Sequence, residues 1–231
     1  MKKHFLPLIF LSIFMGCSGS PLIDQSPNAD ETVLKLLSIM TVQHGNPDEA
    51  PQGNVKIFAN NLGIQVTLEE ANLSWGHWHL ISEGSDPECE AGHDTELEIL
   101  EIQNLMGEDS QPSELISGFI ADHSYCQYGI HFINENEGSN GYSLFVSGSW
   151  NNGLEEIPFI IALNDEFEIE GEFVHPLHFH EGESEKTITF GFTYNKWFED
   201  ISFDETPEDL ENAFLINFKQ NFAKEANYVK P

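Results

Sequence analysis

From residue 33 onward, apolar positions recur mostly every second residue, the period of a half-buried strand. Short alternating runs predict strands over 33–42, 55–58, 64–68, 73–81, 97–102, 124–133, 142–150, 157–163, 166–173 and 186–194. The clearest is 124–133, where Cys126, Tyr128, Ile130 and Phe132 fall on one face. In 186–194, Ile188, Phe190, Phe192 and Tyr194 share one face, with Thr187, Thr189 and Thr193 on the other. Gly, Asn, Asp and Ser clusters separate the runs, the densest being NENEGSNG before Tyr142. Pro176 interrupts the segment beyond 166–173 and points to a loop there. The period then changes. Leu210, Phe214, Phe218 and Phe222 recur every fourth residue and predict a helix over 207–226. Thr206 is a good N-cap, Pro207 suits the first helical position, and Asp209 completes a capping-box-like pattern. Many short strands followed by one helix predict an all-β fold: a β-sandwich of short antiparallel strands with one C-terminal α-helix, forming a single domain over 32–231.

The first 31 residues read differently. Lys2 and Lys3 precede an apolar run from Phe5 to Met15, too short to span a bilayer, and the pattern is that of a cleaved signal peptide over 1–16. Phe14-Met15-Gly16-Cys17 resembles a bacterial lipobox, with Phe14 where leucine is usual. That motif makes Cys17 the lipidated first residue of the mature chain, and the polar segment 17–31 a flexible tether. Ser18 after Cys17, rather than Asp, resembles outer-membrane sorting signals. The expected location is therefore the bacterial cell envelope, anchored by lipid and facing the periplasm or the cell surface.

Charge narrows the partners. The chain carries 39 acidic and 9 basic side chains, a formal net charge of −30. Such a surface repels nucleic acid and anionic headgroups and collects cations. With 18 Phe and 40% apolar residues, it can still bury a sizeable core.

Cys89 and Cys126 have two readings. In an oxidising compartment they form a disulfide, which would contribute roughly 3 kcal/mol. Alternatively their thiolates bind metal, within Cys89-x-x-x-His93 and His123-x-x-Cys126.

The histidines carry the candidate chemistry. His77-Trp78-His79 and His178-Phe179-His180 are both spaced H-x-H. On a strand, residues i and i+2 point the same way, so each doublet can offer two imidazoles to one cation. Two doublets on neighbouring strands would supply four nitrogens, a set suited to zinc or copper. His175 lies close to the second doublet, and His93 and His123 are further candidate ligands. Straight alternation would put His77 and His79 on the inward face with Leu73 and Trp75. It turns His178 and His180 away from Phe173, Leu177 and Phe179, and His123 and His131 away from Cys126, Tyr128 and Ile130. The competing reading is of scattered surface histidines with no ion.

Enzymatic motifs are missing. The sequence has no G-x-S-x-G, H-E-x-x-H, P-loop or G-x-G-x-x-G, and no calcium-loop pattern. The expectation is a non-catalytic protein. Trp75, Trp78, Trp150 and Trp197 could form a sugar-binding platform, but such residues are more often core or sheet-rim packing.

The segments VTLEEANLSWGHWHL, HSYCQYGIHF, YSLFVSGSW and FTYNKWFEDISF, in that order, resemble a loosely defined group of uncharacterised bacterial lipoproteins. More distantly they are similar to the copper-linked periplasmic partner proteins of methanobactin systems. The likeness spans about residues 33–222 as strand patterns and spacing, without the extra cysteines of the copper-linked group. It implies a β-sandwich and histidine-centred metal binding without turnover. Together these readings predict a cell-envelope lipoprotein that binds zinc or copper through histidines. The alternative is an envelope interaction or carbohydrate-binding module with no metal.

Overall fold

A computed structural model describes residues 33–44, 55–89, 92–108, 111–135, 138 and 140–225. The signal peptide, Cys17, the tether and residue 226 of the expected helix lie outside them. Ten strands and one helix follow in order: β1 (Leu34–His44), β2 (Lys56–Ala59), β3 (Gln65–Ile81), β4 (Thr95–Asn104), β5 (Ser113–Ala121), β6 (Tyr125–Phe132), β7 (Leu144–Asn151), β8 (Glu156–Leu163), β9 (Phe167–Leu177), β10 (Glu185–Thr193), a 3-10 turn (Tyr194–Phe198) and α1 (Pro207–Glu225). The fold is the expected all-β one, two sheets with a single C-terminal helix.

The larger sheet runs β8-β7-β3-β6-β9, with β2 and β4 also paired to β3. The smaller runs β10-β1-β5. The pairings in the larger sheet are antiparallel, but β1 lies parallel to β10, so the expectation of antiparallel strands fails there.

Three departures from the expected elements have local causes. Segments 64–68 and 73–81 are halves of one 17-residue strand, β3. A register shift between Leu68 and Glu70 hides the continuity, because it resets the phase so that Ala71 is buried. The edge strand β5 is absent from the period-two pattern. Its buried residues, Leu115 and Ile120, have opposite parity, and its pairing with β1 slips between Ile39 and Met40. Finally, β9 continues through Pro176 to Leu177. It is an edge strand, where a missing N–H costs little.

Both sheets contribute to one core. Trp78 of β3 meets Phe190 of β10 at 4.5 Å between ring centroids, and Tyr128 of β6 meets Phe190 at 6.1 Å. Helix α1 inserts its apolar stripe into this layer. Phe222 stacks on Phe190 at 5.6 Å, and Phe218 lies 6.2 Å from both Phe192 and Phe167. Burying each such ring stabilises by about 2–3 kcal/mol. The cap forms as expected: the Asp209 N–H donates to Thr206 Oγ1 at 3.3 Å, and the Thr206 hydroxyl donates to Asp209 Oδ2 at 2.6 Å. Among the described residues, no helix is long and apolar enough to cross a membrane.

Candidate metal centre

The site begins with a fault in the alternation of β3. Trp75 and Trp78 are both fully buried although they are three residues apart. On β6, Trp75 faces Phe132 and His77 faces His131, so Gly76 is one residue too many. On β4, Trp75 faces Glu101 and His77 faces Glu98, so that strand has its own extra residue. Leu100 lies in that stretch with φ +47°, a left-handed conformation. The bulge turns both indoles inward and both imidazoles outward. His77 and His79 therefore do not continue the face of Leu73 and Trp75, as straight alternation required. A glycine is needed at the bulge, since a Cβ on Gly76 would stand 2.7 Å from Ile133 Cγ2 and 3.0 Å from the His131 carbonyl oxygen.

On the outer face, His77 and His79 stack with ring centroids 4.7 Å apart. Glu96, opposite His79 on β4, reaches both of them. Its Oε2 is 3.3 Å from His79 Nε2, and its Oε1 is 4.0 Å from His77 Nδ1. One donor atom from each of His77, His79 and Glu96 falls within 4.8 Å of the others. Among the described residues this is the one group of three metal-ligating side chains so placed. On the other side, His131 of β6 lies 4.6 Å from His77, ring to ring. His131 Nε2 faces Glu166 Oε2 at 3.5 Å.

His77 is held below the ordinary imidazole value, first by burial and then by neighbouring His131; Glu96 pulls the other way. A neutral imidazole has a lone pair to give, which is the state metal binding needs.

The second doublet is elsewhere. His178 Nε2 and His180 Nδ1 are 3.3 Å apart, and Glu88 Oε2 lies 3.8 Å from His178 Nδ1. His93 and His123 stack at 3.8 Å, and with Glu88, Asp122 and His178 they line a cleft of about 410 Å³. His175 is exposed on β9. The register separates the two doublets: His77 is opposite His131 on β6, whereas Leu177, next to His178, is opposite Tyr125 at the far end of that strand. At about 3.3 Å per residue that is ~20 Å of strand, too far for one ion. The expected four-nitrogen site does not assemble, because the doublets approach opposite ends of β6. The structure joins His77 and His79 to Glu96 and His131, and joins His178 and His180 to Glu88, His93 and His123.

Two further alternatives are decided. Cys89 and Cys126 are paired at disulfide distance, with Cα atoms 6.0 Å apart, so they do not offer thiolates. Trp75, Trp78 and Trp197 are buried in the core and form no surface platform, while Trp150 is half-buried with one face stacked on Phe203.

Glu96, Glu166 and the role of His131 were beyond sequence reasoning. The sequence is too rich in carboxylates to single out two. His131 showed only that it leaves the Cys126–Tyr128–Ile130 face, and the register alone reveals its neighbour. Compared with known proteins, the chain matches no family model, no curated sequence and no solved structure.

Proposed function

We propose that this protein binds a zinc or copper ion on the outer face of its larger sheet, through His77, His79 and Glu96, without catalysing a reaction. The observation that carries the reading is the convergence of two imidazoles and one carboxylate from paired strands. Metal–nitrogen and metal–oxygen bonds of about 2.0–2.2 Å put neighbouring donors roughly 3.4 Å apart around a tetrahedral ion. The Glu96 oxygens already lie 3.3 Å from His79 Nε2 and 4.0 Å from His77 Nδ1, so closing on an ion asks for side-chain rotation alone. The ladder between β3 and β4 fixes the backbone, so closing the site orders only side chains. The net charge of −30 raises the local concentration of cations, and the imidazoles select a transition metal from among them. Lipidation at Cys17 would hold the protein at the cell envelope, where such an ion is first met.

The test is calorimetric titration of the purified protein with Zn²⁺ and Cu²⁺, beside a His77→Ala/His79→Ala variant. Binding that weakens by about 100-fold or more in the variant supports the site. Equal affinities reject it.

A further inference from the structure

We infer that His131 is a third imidazole ligand to the same ion and that Glu166 positions it, which rests on the metal-binding reading above. Cross-strand register places the residues in two rows on one face. Glu98, His77, His131 and Glu168 face one another across β4, β3, β6 and β9. In the next row come Glu96, His79, Gly129 and Glu170. Residues directly opposed in antiparallel strands share a face, so the three imidazoles form one strip with carboxylates on both flanks.

Two observations separate His131 from an ordinary surface histidine. Its Nδ1 is buried and has no hydrogen-bond partner, and leaving a ring nitrogen in that state is costly. Its other nitrogen faces the Glu166 carboxylate. That carboxylate favours the proton on Nε2, leaving the lone pair on the orphaned Nδ1. Metal-bound histidines have this pattern: one nitrogen on the ion, the other held by a carboxylate. His131 stands one ring beyond the three groups whose donors already converge. Turning it inward takes rotation about its terminal torsion, which is broad and soft for an imidazole.

The second row brings a further carboxylate close. Gly129 lies opposite His79 and presents no side chain. A Cβ there would stand 3.7 Å from His79 Cβ and 2.8 Å from Glu168 Oε1, because Glu168 leans into the vacant place. The completed set is three imidazole nitrogens with the Glu96 carboxylate, and Glu168 adds charge beside them. With Cys89 and Cys126 paired to each other at the far end of β6, it contains no sulfur. Such a donor set suits a divalent ion, Zn²⁺ or Cu²⁺, over Cu⁺.

The experiment measures Zn²⁺ affinity by competition with a chromophoric chelator and counts imidazoles on the bound ion by X-ray absorption. It compares the purified wild-type protein with His131→Ala, His131→Gln, Glu166→Gln, His77→Ala/His79→Ala and a His123→Ala control from the distant cleft. Wild type should show three imidazoles. His131→Ala and His131→Gln should bind about 100-fold more weakly with two. Glu166→Gln should weaken binding about 10-fold and keep three, and His123→Ala should change nothing. Thermal melts of the metal-free variants separate ligand loss from misfolding. A wild-type ion with two imidazoles, or wild-type affinity in both His131 variants, overturns the inference even if the His77/His79 variant loses binding. If that double variant also binds normally, the proposed function falls with it.

Discussion

Tyr128 gives the fold a measurable alkaline weakness. Its side chain is fully buried, with its ring centroid 6.0 Å from Trp78, 5.1 Å from Phe173 and 6.1 Å from Phe190. Its hydroxyl occupies the space that a Cβ on Gly171 would need. Burial pushes the phenol from 10.0 up to about 12. Between those values the unfolded chain releases a proton that the folded chain keeps, so stability falls as pH rises. The loss begins near pH 10 and is complete near pH 12. A gap of that size is worth about 2–3 kcal/mol, a sizeable part of a typical domain's stability. Urea midpoints at pH 9, 10, 11 and 12, for wild type and Tyr128→Phe, isolate this contribution. Tyr125 is also raised, chiefly by burial, but it acts alike in both proteins and cancels. Wild type should lose about 2–3 kcal/mol more than the variant over this range, and absorbance at 295 nm should show one more late-ionising phenol in wild type than in the variant. The same alkaline loss in both proteins would refute the reasoning.

Two further outcomes follow from the site and its bulge. As pH falls below 6.5, the unfolded chain protonates His77 while the folded chain resists, so stability falls until the folded imidazole takes up its own proton; urea melts from pH 7 to 5 should show a steeper loss for wild type than for His77→Gln, and parallel losses would count against it. Leu100 is exposed and held at φ +47°, so Leu100→Gly should raise stability by about 1 kcal/mol in urea melts; a decrease would mean that its side chain contributes more than the strain removes.

The fold was largely legible because most strands have one face in the core. Cys126, Tyr128, Ile130 and Phe132 are all buried as their alternation required, and so is the stripe Leu210, Phe214, Phe218 and Phe222. What escaped were places where a strand gains or loses a residue relative to its neighbour. Such slips reverse parity, which is all that periodicity can read. The bulge at Gly76 reversed the expected side of His77 and His79, and the slip beside Met40 hid β5. The site was half legible for the same reason. An H-x-H doublet lies within one strand and shows in the sequence. Its union with Glu96 and His131 depends on register across three strands, which no local pattern encodes.

The parallel pairing of β1 with β10 ties the start of the described chain to residues 185–193. During synthesis β1 can pair with β5 once residues 113–121 exist, but its other edge must wait for most of the polypeptide before its second permanent neighbour is made. Closing so long a loop makes for slow folding and a long exposure to aggregation. A nascent chain of this kind gains from a chaperone that shields its leading strand until the last one arrives.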